Sequence, residues 1–483
     1  MLFNSIDFAV FLPIVFILFW LANKKSVHLA NLVILGASYI FYGWWDWRFL
    51  ALIIVSTMVD FSIGLHMPRM KNKTQRTWLL MASIFANLSI LGFFKYYNFF
   101  LNNFKLAFIW LGFDIAPNGL DIVLPVGISF YTFQTLSYSI DIYRERISPT
   151  SDFISFAAFV SFFPQLVAGP IERAANLLPQ FAASRKFDTG NAVNGLRQIL
   201  WGFFKKVLIA DNCATYANLI FGNSGDYSGS TLLLGAVFFA FQIYGDFSGY
   251  SDIAIGVSRL FGFRLMQNFN FPYFSRDIGE FWRRWHISLS TWFRDYMYIP
   301  MGGSRTSKLG GIRNTLLIFV VSGFWHGANW TFIFWGILHA TFFIPLLITG
   351  RNRRNLENVR SGLFGPSLTD FIRILVTFFM VTLAWILFRA DNIHHAISIF
   401  GSIFSKSIFT IPHFRGMMSA LETTGFIIFF ILIEWRGRHW AYGIEKLGLN
   451  WPRYLRLGFY YILIIMVMVF GNFSENEFIY FQF

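Results

Sequence analysis

The sequence is short of cysteine and of charge, and each shortage excludes a class of protein. Its 483 residues include one cysteine, Cys213, which rules out an intramolecular disulfide framework and any metal site built from several cysteines. Charged residues make up 13% of the chain and hydrophobic residues 55%. Several apolar windows exceed the roughly 18 residues that indicate a membrane span. We find no polar interval long enough for a separate soluble domain, so we predict one integral-membrane domain over residues 1–483.

Nucleotide, metal and nucleic-acid signatures are also missing. The chain contains no P-loop, no dinucleotide-binding glycine pattern and no His-Glu-x-x-His motif, so we expect no metal and no permanently bound cofactor. The formal net charge of +14 could indicate nucleic-acid binding. In a membrane protein, however, basic residues in short loops set the orientation of the chain. We therefore expect membrane lipids as partners and no nucleic acid.

Apolar runs predict a chain of membrane helices. The N-terminus lacks the basic stretch of a cleaved signal, and Lys24 and Lys25 follow the first run, so we place the N-terminus outside. Residues 191–212 mix charged and apolar side chains, and an interface helix or a short tilted span fits equally well. The candidate spans are 6–22, 27–44, 48–65, 77–95, 98–113, 121–142, 152–170, 230–257, 369–388, 421–436 and 457–473. The polar residues of 98–113 (Asn102, Asn103 and Lys105) fit a position in the interface as an alternative.

The interval 314–348 contains a histidine deep in an apolar segment. It is about 35 residues long against the roughly 20 that one span needs, and basic residues lie outside both ends. We therefore expect the chain to enter and return, with its turn near residues 327–329. His326, 12 residues after Asn314, would be about 18 Å deep. Such a polar residue is a functional candidate, here a general base with room for a ligand beside Gly323 and Gly327; the alternative is a histidine that hydrogen-bonds across helices.

Two other polar stretches supply further candidates. The run 230–257 is interrupted by Asp246, Ser248 and Asp252, which indicate either a cavity lining paired with a nearby Arg or His, or a cap at a broken helix. Residues 276–300 alternate aromatic and basic side chains, a pattern typical of an amphipathic helix at the cytoplasmic interface. His286 there either lines an access to the site or lies among headgroups.

The arginines of the same stretch leave two interpretations open. Arg283 and Arg284 suit the phosphates of a nucleotide-bearing donor, because guanidinium groups bind phosphate in a bidentate manner. Anionic lipid headgroups explain them equally well. His339 follows His326 on the return limb, where we expect a packing role.

Several motifs closely resemble those of the membrane-bound O-acyltransferase family, nearest to its bacterial alginate O-acetyltransferase branch. They are Glu-Phe-Trp-Arg-Arg-Trp-His-Ile-Ser-Leu-Ser at 280–290, Trp-His-Gly-Ala-Asn-Trp at 325–330, Phe-Pro-Gln-Leu-Val-Ala-Gly-Pro-Ile at 163–171, Asp-Phe-Ser-Gly-Tyr-Ser-Asp at 246–252 and Phe-Ile-Tyr-Phe-Gln-Phe at 478–483. The resemblance extends over nearly the whole chain, with the motifs in the same order.

The resemblance implies both a fold and an activity. The fold is all-α and polytopic, with about 11–13 transmembrane or re-entrant helices around a central tunnel and added interfacial amphipathic helices. The family moves an acyl group from a cytoplasmic thioester, such as acetyl-CoA, to a hydroxyl. In the polysaccharide branch acetyl crosses the membrane, usually to an extracytoplasmic SGNH-type transferase or esterase, and the localisation is the bacterial inner membrane.

The motif positions carry over residue by residue. By that resemblance His326 is the catalytic residue and His286 the second histidine tied to activity. As substrate or tunnel candidates we add Trp325, Asn329, Asp246, Ser248, Asp252, Arg283, Arg284 and Trp285. Two other functions compete with the transferase: an exporter of a polysaccharide or lipid-linked sugar, and a scaffold for periplasmic modifying enzymes.

Overall fold

The computed structural model describes residues 1–113, 119–167, 169–357, 359, 361–362, 365–473 and 478–479. These residues form two compact units, one of Met1–Gly195 with Ala254–Met266 and one of Leu196–Ile253 with Gln267–Phe483. Regular structure in the described part is helical apart from a minimal ladder, in which β1 (Ser361–Gly362) pairs antiparallel with β2 (Gly365–Pro366). The predicted all-α class is confirmed.

Ten helices precede the second unit or lead into it. They are α1 (Ile6–Asn23), α2 (Val27–Asp46), α3 (Leu50–His66), α4 (Lys73–Leu91), α5 (Tyr97–Trp110), α6 (Ile128–Tyr143), α7 (Phe153–Ser161), α8 (Phe163–Leu166), α9 (Ala174–Ala182) and α10 (Thr189–Phe203). Short 3₁₀ turns, Trp47–Phe49 and Met67–Arg69, follow α2 and α3, and a π-helical segment, Gly92–Tyr96, joins α4 to α5.

The remaining helices belong to the second unit, apart from the last residues of α12, which are part of the first. They are α11 (Asp211–Gly222), α12 (Gly229–Leu260), α13 (Ile278–Arg284), α14 (Ile287–Phe293), α15 (Lys308–His326), α16 (Trp330–Ile348), α17 (Leu368–Arg389), α18 (Ile393–Ile403), α19 (Met417–Gly437) and α20 (Arg453–Phe470). The π-helical segments Phe204–Ala210 and Arg294–Tyr298 follow α10 and α14. The 3₁₀ turns here are Ser224–Asp226, Pro272–Phe274 and Lys406–Phe409.

Eight helical stretches in the described part of the chain are long and apolar enough to cross a membrane. They are Ile6–Asn23, Val27–Arg69, Lys73–Trp110, Gly229–Leu260, Trp330–Ile348, Leu368–Arg389, Met417–Gly437 and Arg453–Phe470. The 43-residue stretch Val27–Arg69 would be about 64 Å long as one helix, twice a bilayer core. It breaks at Asp46, whose backbone is extended, so it supplies both spans predicted there. The multi-pass membrane architecture is confirmed; the count of 11–13 and the tunnel stay predictions.

Three predicted boundaries are wrong. The spans 77–95 and 98–113 form one continuous helix, Lys73–Trp110, because the π-helical segment between them keeps the chain helical. The span 121–142 begins only at Ile128, since Pro125 and a left-handed Gly127 precede it. The span 152–170 is interrupted at Phe162, which leaves α7 and α8 too short to cross; Ala168 of its motif lies outside the described residues.

A buried carboxylate ties three helices of the first unit together. Asp60 of α3 is fully buried. It accepts hydrogen bonds from the Asn87 amide of α4 at 2.7 Å and from the Ser139 hydroxyl of α6 at 2.6 Å, and a third from Ser83. Hydrogen bonds of this kind compensate for the burial of a polar group. The residues of this cluster were not among the predicted site residues.

The hairpin predicted around the deep histidine is confirmed. α15 and α16 are antiparallel and joined by a turn at residues 327–329. A Cβ atom on Gly323 would collide with the Phe332 carbonyl, and one on Gly336 with the Phe319 carbonyl. Glycine therefore allows the two helix backbones to approach closely, as small residues do between membrane helices. The hairpin places His326 as the last residue of α15.

Candidate functional site

The stretch that carries His286 is not the single interfacial helix predicted over 276–300, and that prediction is wrong. α13 and α14 are separate short helices, and His286 between them has a left-handed backbone with φ 43° and ψ 55°. Glu280, Phe281, Trp285 and His286 are all buried, so the stretch belongs to the protein interior. A left-handed histidine is strained by about 1–3 kcal/mol, which the surrounding contacts must offset.

Asn268 supplies those contacts. Its backbone carbonyl accepts the Ile287 N–H at 2.9 Å. Its side-chain Oδ1 accepts the Ser288 N–H at 3.3 Å and the Ser288 hydroxyl at 2.9 Å, and lies 3.0 Å from His286 Nδ1. Its Nδ2 donates to the Ser251 hydroxyl of α12 at 3.2 Å. One fully buried asparagine, through its side-chain amide and its backbone carbonyl, therefore holds three consecutive residues of the histidine segment against α12.

The α15–α16 hairpin supplies the second histidine, His326. It is 3% exposed and lies at the end of α15, 18 residues after Lys308, which corresponds to about 27 Å of helix. It thus lies directly before the turn, as the predicted turn at residues 327–329 implies, and its depth of about 18 Å, counted from Asn314, stays a prediction. The expected room for a ligand beside its glycines is absent, because Gly323 meets the α16 backbone and Gly327 meets the Phe332 ring.

The structure brings the two histidines together. The ring centres of His286 and His326 are 6.4 Å apart, although 40 residues separate them in the chain. The Trp325 ring touches both, at 6.1 Å from His286 and 5.0 Å from His326. Phe247 of α12 meets His286 edge-on at 4.6 Å. Two ionisable rings therefore share one aromatic enclosure.

Further aromatic rings extend this enclosure. Trp335 and Phe388 pack on His326, with ring centres at 5.2 and 5.4 Å. Trp285 is buried and packs against Phe269 at 5.1 Å, and Phe269 in turn lies against His286. His339 accepts a hydrogen bond from the Trp282 indole at 3.3 Å, which agrees with the packing role expected for it. Trp335, Phe388 and Phe269 were not among the predicted site residues.

The aspartates of α12 pair with lysines of the stretch 191–212, for which the sequence left open an interface helix or a short tilted span. Lys206 lies 2.8 Å from Asp246 and 2.8 Å from Asp211, and Lys205 lies 2.6 Å from Asp252. α12 is unbroken, so the alternative of a cap at a broken helix is wrong. The partners are lysines and not the expected Arg or His. The charges of 191–212 therefore balance those of 246–252 inside the protein, since every residue of Phe204–Ala210 is buried.

A signal for this pairing was present in the sequence. Two adjacent lysines interrupt one apolar run and two aspartates interrupt another, and buried charges in such runs occur in pairs. Ser248 is buried on α12 between the aspartates. The backbone N–H of Ile479 donates to Asp246 at 2.7 Å, which ties part of the C-terminal motif to this cluster. Residues 480–483 of that motif lie outside the described residues.

The remaining candidates have structural partners. Arg284 pairs with Glu280 at 2.8 Å and Arg283 donates to the backbone carbonyls of Asn352 and Asn355. Asn329 caps α16 through the Thr331 N–H at 3.0 Å and donates to the Asp391 carbonyl at 2.9 Å. None of these bonds involves His286 or His326.

Burial determines the protonation state of His286. Removal from water lowers the pKa of His286 to about 3, because the imidazolium form loses its hydration. At neutral pH the ring is therefore uncharged, with one nitrogen carrying a proton and the other a lone pair. Such a ring can accept a proton or a hydrogen bond from a substrate.

Comparison with known proteins agrees with the motifs. The model of the membrane-bound O-acyltransferase family matches residues 142–388. A Pseudomonas putida protein named "Probable alginate O-acetylase AlgI" is 36% identical over 504 residues, with 100% of each chain covered. The Helicobacter pylori peptidoglycan O-acetyltransferase is 38% identical over 83% of this chain and 79% of its own.

A more distant relative has a different acyl group in its name. The Bacillus subtilis teichoic acid D-alanyltransferase is 29% identical over 56% of this chain and 70% of its own. The family match covers both histidines, and the alginate relative covers the chain from end to end. The chain therefore belongs to the membrane-bound O-acyltransferase family and is a multi-pass membrane O-acyltransferase.

Proposed function

We propose that the protein moves an acetyl group from a cytoplasmic thioester, such as acetyl-CoA, across the bacterial inner membrane for O-acetylation of an extracellular, alginate-like polysaccharide. The observation that carries this proposal is the pair of buried histidines, 6.4 Å apart, with His326 at the turn of the α15–α16 hairpin, whose second helix is long and apolar enough to cross a membrane. The names of the relatives support a polysaccharide acceptor, since they specify alginate, peptidoglycan and teichoic acid. The alginate relative's full coverage favours alginate among these.

The chemistry proposed for His326 is general base catalysis. Its ring takes the proton of an acceptor hydroxyl while the hydroxyl oxygen attacks the thioester carbonyl carbon. The C–S bond of the resulting tetrahedral intermediate then breaks, and the imidazolium returns the proton to the leaving thiolate. A positioned base of this kind contributes about 10²–10⁴-fold to the rate.

The separation of the two rings supports a shared acceptor. A hydrogen-bonded oxygen lies roughly 4 Å from the centre of an imidazole ring, because the bond itself is about 2.9 Å long. Two rings 6.4 Å apart can therefore contact one hydroxyl oxygen between them. The aromatic enclosure excludes water, which strengthens such contacts and suppresses hydrolysis of the thioester.

The outward route is part of the same proposal. We expect acetyl to pass to an extracytoplasmic SGNH-type transferase or esterase, which completes its transfer to the polysaccharide. The N-terminus is outside in this topology and Lys24 and Lys25 are cytoplasmic, as the bias of basic residues favours. The acceptor hydroxyl at the histidines then belongs to this partner or to the polymer.

The first test is acetyl transfer in liposomes. Purified protein is supplied with radiolabelled acetyl-CoA, the extracytoplasmic partner and alginate oligosaccharides, and thioester consumption and acetylated product are measured. We expect His326→Ala to lower transfer by about 10²–10⁴-fold. His286→Asn removes the imidazole but tolerates the left-handed backbone, and it should also be inactive. His394→Ala is the control, because His394 is exposed.

Other outcomes would exclude the proposal. A loss of less than tenfold in folded His326→Ala protein would rule out the base role. Flux of polysaccharide without thioester consumption would favour an exporter. Acetylation that survives both histidine substitutions would favour a scaffold for other enzymes.

A further inference from the structure

Asn268 lies outside every motif of the sequence analysis, yet its contacts concentrate on one histidine. It is fully buried, and its hydrogen bonds reach His286, Ile287 and Ser288 on one side and Ser251 on the other. A residue used only for packing would not need four polar contacts with consecutive residues. This convergence points to control of His286.

The contacts of Asn268 fix which atom of its amide faces the histidine. The Ser288 backbone N–H, which can only donate, bonds to Oδ1 at 3.3 Å, so Oδ1 is the atom on that side. The Nδ2 group is turned toward the Ser251 hydroxyl at 3.2 Å. An amide oxygen can only accept, so His286 Nδ1, 3.0 Å away, must carry the proton. The neutral ring then holds its lone pair on Nε2.

Asn268 also restrains the backbone of His286. The left-handed conformation at φ 43° is unfavourable for histidine. It is maintained by the Ile287 N–H bond to the Asn268 carbonyl at 2.9 Å and by the two bonds from Ser288. The same residue therefore sets the tautomer of the ring and the direction in which the chain presents it.

We propose that Asn268 is a positioning residue for acyl transfer, which holds His286 as the neutral Nδ1–H tautomer and so fixes Nε2 as the nitrogen that carries the lone pair. This inference rests on the proposed function. Asn268 acts through His286, because its amide groups are already bonded to the protein. Second-shell partners that fix an imidazole typically change function by about 10–100-fold when they are removed.

The surroundings of His286 make this control measurable through pH. Among the described rings in contact with it are Phe247 of α12, Phe269 of the preceding loop, and Trp325 and His326 of α15. Of these four, His326 is the titratable one. A carboxylate introduced at position 268 would therefore be a strong new charge, and it would favour the imidazolium form of His286.

The test compares two substitutions in the liposome assay. Asn268→Leu removes the acceptor, and we expect kcat to fall by about 10–100-fold while KM for acetyl-CoA stays close to the wild-type value. Asn268→Asp keeps the acceptor but adds a charge that raises the pKa of His286. Its transfer rate should be near wild type at pH 8 and should fall more steeply than the wild-type rate as the pH is lowered.

The control is the same exchange at another buried asparagine, which lies on α15. Asn314 is fully buried, accepts from Arg313 at 3.1 Å and precedes His326 by 12 residues. Asn314→Asp should therefore keep the wild-type pH profile. Folding of every variant is checked by its thermal unfolding midpoint.

The outcomes separate this inference from the proposed function. Wild-type kcat in Asn268→Leu, or a wild-type pH profile in Asn268→Asp, would overturn the positioning role if His326→Ala is inactive in the same assay. An active His326→Ala variant would instead overturn the proposed function itself.

Discussion

At the scale of single residues, the protein's chemistry depends on buried polar groups with assigned partners. His286 has Asn268, Asp252 has Lys205, and Lys206 lies between Asp211 and Asp246. Lys206 is 1% exposed, so its charge is compensated by the protein and not by water. Buried charges that lose a partner are destabilising by much more than exposed ones.

Lys206→Met should therefore destabilise the protein by about 3–5 kcal/mol, because it leaves two buried carboxylates without their cation. The measurement is the thermal unfolding midpoint in detergent. The double variant Lys206→Met with Asp211→Asn should lose less than the sum of the single changes, since it removes one of the stranded charges. Lys446→Met, at an exposed position, should leave the midpoint unchanged. Equal midpoints for Lys206→Met and Lys446→Met would contradict the pairing.

At the scale of elements, the α15–α16 hairpin determines where His326 lies. The approach of the two helices depends on Gly323 and Gly336, at which an added Cβ would collide with a backbone carbonyl of the opposite helix. The turn at 327–329 comes directly after α15, and Asn329 caps α16. The glycines of this stretch thus serve the helix contact rather than a ligand.

Gly323→Ala should force the hairpin apart and destabilise it by about 1–3 kcal/mol, the usual effect of overpacking. Because His326 is three residues away, acetyl transfer should fall together with the unfolding midpoint. Gly425→Ala is the matched control, since Gly425 lies within α19 and has open space where the new methyl group would be. That change should be neutral or slightly stabilising. A Gly323→Ala variant as stable and active as the control would mean that the backbones do not touch.

At the scale of the whole molecule, helix length and basic residues specify a multi-pass membrane protein. The first two helices, α1 and α2, flank the pair Lys24 and Lys25, and the chain next turns at Trp47. The proposed direction of acyl transfer depends on the orientation of these passes. The positive-inside bias predicts that the lysines lie in the cytoplasm and Trp47 outside.

This orientation can be tested with cysteine labelling. Trp47→Cys should react with a membrane-impermeant maleimide in intact spheroplasts, and Lys25→Cys should react only in inverted vesicles. Lys25 is exposed and Trp47 is 74% exposed, so both positions are accessible to the reagent. The native Cys213 is buried and supplies an unlabelled background. The opposite labelling pattern would reverse the proposed direction of transfer.

Most of the fold was predictable because it depends on local properties of the chain. The hairpin and the turn beside His326 followed from run length and flanking charge, and the helices near 369–388, 421–436 and 457–473 were found within four residues at every end. The error over residues 276–300 arose where tertiary contacts override local pattern. The aromatic and basic stretch 276–300 has the composition of an interface helix, but its polar groups are paired internally and buried.

The sequence by itself determined the membrane class, the family and the two histidines, because apolar run lengths and motifs are written along the chain. Only the tertiary structure decided that His286 and His326 share one enclosure, that Lys205 and Lys206 neutralise the α12 aspartates, and that Asn268 holds His286. These partners are 18 to 47 residues apart in sequence. Their pairing depends on how whole helices pack. The distance between two residues along the chain does not indicate whether they will be in contact.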